Sequence, residues 1–338
     1  VVAPVYNEEA VLPEFHRRLA QVLDRLEASV EVVYVNDGSR DRTLSLLQGL
    51  HAQDARVAVV NLSRNFGKEI ALTAGLDHAR GEAVVVIDSD LQDPPELILE
   101  LIARWREGYD VVYATRTARA GETFVKKLTA KYFYRLMKLM SRVEIPADTG
   151  DFRLLSRRAV DALVKLREHH RFMKGLFAWI GYPHTSVAYE RDPRFAGETK
   201  WSYWRLWNFA IEGITSFTTG PLKIASYVGL ITATVAFLYA VWIVYKTLRF
   251  GDPVTGYPSL MVVILFLGGI QLTTLGIMGE YLGRMFNETK QRPLYFVEAY
   301  QQPRIDAQTS AAGQGAHAAA AADPLASRAK NNSKAEPD

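Results

Sequence analysis

Short runs of apolar, β-branched residues alternate with amphipathic stretches through the first 115 residues. Val1–Tyr6, Glu31–Val35, Val57–Leu62, Ala83–Ile87 and Val111–Ala114 each read as a strand buried on both faces. Between the first two, Val11, Leu12, Phe15, Leu19, Val22, Leu23 and Leu26 recur at helical spacing. Leu97, Ile98, Leu101, Ile102 and Trp105 do so again after Pro94-Pro95, a pair suited to a helix start. Strands alternating with helices predict an α/β fold with a mostly parallel sheet covered on both faces.

The pattern changes beyond residue 200. Trp201, Tyr203, Trp204, Trp207, Phe209 and Phe217 crowd a segment that reads as an interfacial amphipathic helix over 201–221. Ile224–Tyr245 and Pro258–Gly279 follow, each 22 residues without a formal charge. At about 1.5 Å per residue each spans roughly 33 Å, enough to cross a bilayer core. Gly251, Pro253 and Gly256 break the chain between them, so 222–285 reads as a transmembrane hairpin with both ends on one side. Lys223, Arg284, Lys290 and Arg292 outside the spans, against Lys246 and Arg249 in the connection, place residues 1–200 in the cytoplasm. Residues 286–300 read as a cytoplasmic extension. From 301 the chain turns to Ala, Gln, Asn, Ser and charge, a composition that predicts a disordered tail to 338.

Composition narrows the chemistry. The 338 residues include no cysteine, which excludes disulfides, thiolate catalysis and cysteine-ligated zinc. A net charge of +3 carries no nucleic-acid footprint. No Gly-x-Gly-x-x-Gly follows the first strand, which disfavours a dinucleotide-binding dehydrogenase.

Polar loops lie where the strands end. The fourth strand runs into Asp88-Ser89-Asp90-Leu91-Gln92, with two carboxylates one residue apart. Such a pair, at the edge where open α/β sheets bind ligands, suits a hard divalent cation that also takes phosphate oxygens. The alternative is a helix cap before Pro94-Pro95. The first strand leads into Pro4-Val5-Tyr6-Asn7-Glu8 and the second into Asn36-Asp37-Gly38-Ser39. Singly, each of these is ordinary turn chemistry; together on one sheet edge they suggest a grip on a nucleotide.

These motifs, with Asn65-Phe66-Gly67-Lys68, Asp88-Ser89-Asp90-Leu91-Gln92-Asp93-Pro94-Pro95, Thr149-Gly150-Asp151-Phe152-Arg153 and Arg194-x-x-Gly197-x-Thr199-Lys200, resemble the signature set of family 2 glycosyltransferases. The resemblance is narrower to the polyprenyl-phosphate branch, which holds dolichyl-phosphate mannose synthases and bactoprenol (undecaprenyl-phosphate) glucosyltransferases. It extends through the hairpin and Gly279-Glu280-Tyr281-Leu282-Gly283-Arg284 to about residue 297.

The resemblance implies a GT-A nucleotide-sugar-binding domain. It implies that Pro4, Tyr6, Glu8, Val35 and Asp37 contact the nucleoside and that Asp88, Ser89 and Asp90 bind the donor. Asp88, Asp90 and Gln92 would hold Mg²⁺ or Mn²⁺. Arg116, Arg194 and Lys200 would face the donor diphosphate or the acceptor phosphate, for which guanidinium and ammonium groups are suited. Asp151 matches the family's candidate general base, yet a phosphate acceptor is already ionised at neutral pH, so base and orienting group both remain open. The implied reaction is inverting transfer of one sugar to a polyprenyl phosphate at a bacterial inner membrane. Glucose from UDP-glucose is favoured by Arg171-Phe172-Met173-Lys174-Gly175 and Gly197-Glu198-Thr199-Lys200-Trp201. Mannose, an aminoarabinose derivative and an N-acetylhexosamine stay open, as does association into a homo-oligomer. A processive polysaccharide synthase would need more membrane helices than two, and an inert scaffold would have no use for the acidic motifs.

Overall fold

The structure is a computed structural model and describes residues 1–116, 149–189, 218–250 and 256–304. Its centre is an eight-stranded sheet. In chain order the strands are β1 (Val2–Val5), β2 (Val32–Asn36), β3 (Val57–Leu62), β4 (Ala83–Val86), β5 (Val111–Arg116), β6 (Thr149–Ser156), β7 (His184–Tyr189) and β8 (Val297–Gln301). Across the sheet they run β7-β5-β6-β4-β1-β2-β3-β8. Strands β1, β2, β3 and β4 are mutually parallel, whereas β6 lies antiparallel between β4 and β5.

Alternation along the strands divides the core in two. Ala3 and Val5 of β1 point to one face and join Phe15 and Leu19 of α1 (Leu12–Leu23), Leu47 of α2 (Thr43–Gln53) and Leu101 of α4 (Ile98–Arg106). Val2 points to the other face, with Leu72 of α3 (Lys68–His78), Val160 of α5 (Arg157–Val164) and Leu176 of α6 (Met173–Trp179). Phe15 and Leu72 are at most 1 % exposed, and burial of a side chain this size contributes about 1.5–3 kcal/mol. Gly75 lets α3 lie directly on the sheet, since a Cβ there would come within 2.3 Å of Val2 Cγ1. The five predicted strands are all present, and β3 has the bounds the sequence suggested.

Two long helices follow: α7 (Gly220–Phe250) of 31 residues and α8 (Tyr257–Thr289) of 33. They pack against each other, and at their bases the Tyr281 hydroxyl donates to the Thr218 carbonyl at 2.7 Å. Gly220–Phe250 is long and apolar enough to cross a membrane, and is the helix among the described residues that meets that measure. Large apolar side chains, including Leu238, Phe266 and Leu272, stand exposed along both helices. The aromatic segment placed at 201–221 lies outside the described residues up to 217.

The chain then returns to the sheet. Val297–Gln301 pairs antiparallel with β3, from Leu62↔Val297 to Val59↔Gln301, with a bulge between Asn61 and Leu62. A ladder of side-chain amides continues the pairing sideways: Asn36 Nδ2 donates to Asn61 Oδ1 at 2.7 Å, and Asn61 Nδ2 to Glu298 Oε2 at 2.8 Å. Arg304 donates from its backbone N–H to Ala55 and from its guanidinium to the carbonyls of His51 and Ala52. The segment expected as a plain extension over 286–300 therefore supplies an edge strand, and the boundary expected at 301 falls inside an ordered contact. The pattern was weak because three of the five strand residues are exposed, which removes the apolar alternation that marks a half-buried strand.

Candidate active site

Because β1, β2, β3 and β4 are parallel, the loops that leave their carboxyl ends meet on one edge of the sheet, where open α/β sheets bind ligands. The loops after β1 and β2 are stitched together. Asn7, at φ 53°, donates its N–H to Ser39 Oγ at 3.0 Å and accepts from the Arg40 N–H at 2.8 Å. The Glu8 N–H donates to Thr43 Oγ1 at 3.0 Å. Tyr6 stands 39 % exposed at this edge, and Pro4 accepts at its carbonyl from Ser89 Oγ at 3.2 Å. Ser89 thereby ties the end of β4 to β1.

Asp37 is buried at the end of β2 and accepts from the N–H groups of Phe66 at 2.7 Å and Gly67 at 2.9 Å. Burial raises its pKa, partly offset by those two hydrogen bonds. The carboxylate thus holds the loop that leads into α3. Gly38 makes the approach possible: it sits at φ +65°, and a Cβ there would fall 2.5 Å from backbone atoms of Arg64 and Asn65. Val35 is different from the expectation. Its side chain is fully buried in the core beneath α3, because helices cover both faces of β2, and it offers no surface to a nucleoside.

The Asp88 loop carries a strained turn. Leu91 adopts φ 58°, a conformation that costs a non-glycine residue about 1–3 kcal/mol, while its side chain is buried to 2 %. Asp90 Oδ1 accepts from the Gln92 N–H at 3.1 Å, closing an Asx turn. Neither the 3₁₀ turn Pro95–Leu97 nor α4 carries a side-chain cap, so the helix-cap alternative for the acidic pair fails. Asp88, Asp90 and the Gln92 amide offer hard oxygen donors from one turn, a set that fits Mg²⁺ or Mn²⁺. Among the described residues no three His, Cys, Asp or Glu side chains gather for a metal; sites with few protein ligands are completed by substrate phosphate and water.

Asp151 reaches this edge through strand register. In the antiparallel β4–β6 pair, Val86 faces Arg153, and two further steps set Asp88 opposite Asp151. The ammonium of Lys68, first residue of α3, lies between them: 2.7 Å from Asp88 Oδ2 and 2.5 Å from Asp151 Oδ2. Its neighbour Glu69 lies close enough to feel Lys68 and Asp151. Desolvation opposes the Lys68 charge, but Asp151 and Asp88 together hold its pKa well above the usual range. Burial would raise Asp151, yet Lys68 and Lys174 pull it well below the carboxylate range. Asp88 is raised, chiefly by burial, with Lys68 opposing. Glu69 is pushed up to about 7 by burial and by the Asp151 charge. The two aspartates share one ammonium.

Basic groups surround the cluster. Arg153 is buried, donates to the carbonyls of Gly150 (2.7 Å) and Asp151 (3.3 Å), and stacks 3.8 Å above the Phe177 ring. Arg116, at the end of β5, donates to the Tyr189 hydroxyl at 3.3 Å and lies against Gly150. The Tyr189 hydroxyl in turn donates to Asp93. Asp151 Oδ1 is buried and has no hydrogen-bond partner among the described residues. Arg194 and Lys200 lie outside the described residues, as does most of the basic stretch after Arg116. Lys68 is the functional candidate that sequence reasoning left without a role, although its motif Asn65-Phe66-Gly67-Lys68 was visible; its partners lie 20 and 83 residues away.

Comparison with known proteins agrees with this geometry. Residues 1–164 match the profile of glycosyl transferase family 2, and residues 220–285 that of the GtrB C-terminal hairpin. The chain is 55 % identical over 297 residues to an uncharacterized glycosyltransferase of Synechocystis, covering 88 % of this chain and 93 % of the relative. It is 47 % identical over 298 residues to a prophage bactoprenol glucosyl transferase homolog of Escherichia coli, covering 88 % and 97 %. The bactoprenol glucosyl transferase of Shigella phage SfV gives the same identity and coverage. With a GT-A type sheet, an acidic loop at the carboxyl end of β4 and relatives matched over nearly their whole length, the chain belongs to the family 2 glycosyltransferases.

Proposed function

We propose that the protein transfers glucose from UDP-glucose to undecaprenyl phosphate at the cytoplasmic face of a bacterial inner membrane. The observation that carries the reading is the meeting of Asp88 and Asp151 across one lysine, in a chain that also carries an apolar helical hairpin. The relatives named as bactoprenol glucosyl transferases supply the sugar and the acceptor. Both helices of the hairpin span the bilayer in this reading, which leaves the sheet and its return strand on one side.

The loops after β1 and β2, with Tyr6, Glu8 and the backbone around Asp37, hold the nucleoside. Asp88, Asp90 and Gln92 hold a divalent cation, which would neutralise charge on the departing UDP. Arg116 lies where a guanidinium can steady a phosphate, and Arg194 and Lys200 are assigned to the diphosphate or acceptor in the same way. A phosphate oxygen of the lipid attacks the anomeric carbon as the bond to UDP breaks on the opposite side, so an α-linked donor gives a β-linked product. That oxygen is already ionised and needs no base. Asp151 stays ionised beside Lys68 and Lys174 and is correspondingly a weak proton acceptor, which favours the orienting role over the base.

Incubation of membranes holding the full chain with labelled UDP-glucose and Mg²⁺ tests the reading. Label in an organic-extractable, mild-acid-labile lipid is expected. Label in polymer, or none with this donor while another nucleotide-sugar is incorporated, overturns the assignment of glucose to a polyprenyl phosphate.

A further inference from the structure

Asp88 Oδ2 is engaged by a cation of the protein itself. The Lys68 ammonium sits 2.7 Å from it and 2.5 Å from Asp151 Oδ2. A divalent cation on Asp88 would stand a few ångströms from that ammonium. A divalent cation and an ammonium that close repel each other, the more strongly the less water lies between them. The two cations therefore compete for one carboxylate.

The geometry also says how the competition resolves. The backbone of Lys68 is fixed, because Asp37 holds the N–H groups of Phe66 and Gly67 immediately before it. Its side chain is 45 % exposed and opens to the ligand edge, while that of Asp151 is only 11 % exposed. A lysine has three donors on a flexible four-carbon stem. It can keep Asp151 and turn away from Asp88 without any movement of α3. The anion that would then meet it at the open edge is a phosphate.

Resting on the nucleotide-sugar reading above, we propose that Lys68 is an exchangeable counter-ion of the acidic site. It neutralises Asp88 and Asp151 when no ligand is bound. It releases Asp88 to the divalent cation as the donor enters, and its ammonium, still anchored on Asp151, then contacts the donor diphosphate. Lys68 is on this account both a brake on cation binding without nucleotide and a substrate contact with it.

The two roles move two measurements in opposite directions, which a merely structural lysine would not do. Mn²⁺ binding to purified full-length protein in detergent is followed by electron paramagnetic resonance of the free ion, without nucleotide. Lys68→Met is expected to tighten Mn²⁺ binding on the order of tenfold, since the competing charge is gone. The same variant is expected to raise the KM for UDP-glucose by about tenfold or more, from loss of a charge-assisted contact. Lys68→Arg, which keeps the charge, should leave Mn²⁺ binding near wild type and guards against a folding defect, checked by thermal melting. Unchanged or weaker Mn²⁺ binding in a folded Lys68→Met protein overturns the counter-ion role. An unchanged KM overturns the substrate contact. If the wild-type protein itself binds no Mn²⁺ with or without UDP and transfers no glucose, the reading beneath it fails instead.

Discussion

The Tyr295 hydroxyl donates a 2.6 Å hydrogen bond to Asp77 Oδ2, joining residues 218 positions apart. Asp77 also receives Arg167, so one carboxylate at the end of α3 gathers the post-hairpin chain and the loop after α5. Close by, Glu288 at the foot of α8 accepts from the His169 N–H at 2.7 Å, and the His169 ring meets the Arg292 carbonyl at 2.8 Å. The hairpin is thus fastened to the catalytic sheet by polar contacts as well as by β8.

Truncation after Arg304 should leave the melting temperature and glucosyl transfer unchanged, because it keeps β8, the Tyr295 bond and the Arg304 contacts. Truncation after Leu294 removes β8 and the Tyr295 bond, and should lower the melting temperature by many degrees. Tyr295→Phe alone should cost about 1 kcal/mol, as expected for one hydrogen bond. Thermal unfolding in detergent of the three proteins separates these outcomes, and equal melting of both truncations would contradict the role given to β8.

Asp90→Asn should keep the fold, because an asparagine oxygen can still close the turn onto the Gln92 N–H. Transfer should fall by at least about a hundredfold, through the weakened oxygen donor. Circular dichroism against rate makes the comparison. Near-normal turnover would remove Asp90 from the cation site.

Glu69 sets a pH dependence of stability. Its folded pKa of about 7 lies above the ordinary value of 4.5, so the folded state holds the extra proton between those values. Its contribution to stability is full below about pH 4.5 and is lost as pH rises toward 7. Glu69→Gln cannot lose that proton, and its melting temperature should fall less across this window than that of wild type. Parallel pH profiles for the two proteins would place the strain elsewhere.

Gly38→Ala should be among the more damaging single-methyl additions in the chain. The residue needs a left-handed backbone, and the new Cβ would overlap the Arg64–Asn65 backbone. A loss of about 2 kcal/mol or more is expected. The loop it displaces carries Lys68, so Mn²⁺ binding should change along with stability. A melting temperature within a degree of wild type would show that the loop gives way easily.

Strands β1 to β5 were readable in the sequence, and β6, β7 and β8 were opaque. Strands β1 to β4 are continuous apolar runs, and Asp88-Ser89-Asp90 follows β4 directly, so the acidic loop could be placed on an edge from local pattern alone. The meeting of Asp88 with Asp151 could not. It depends on β6 entering antiparallel beside β4, and the two residues are brought opposite by a register that no local periodicity records. Lys68 was visible as part of a motif, but a lysine opening a helix is ordinary until its two carboxylates are located. Val35 shows the reverse: a residue next to functional neighbours on the chain lies in a strand that is buried on both faces.

Strand β8 also fixes an order of events during synthesis. The ribosome delivers β3 long before residues 297–301, and everything between them, including both long helices, must emerge first. Until then the outer edge of β3 presents unpaired backbone groups, a surface prone to pairing with other chains. Completion of the sheet therefore waits on the hairpin having left the ribosome, so the catalytic half of the molecule reaches its final form last, although it is made first.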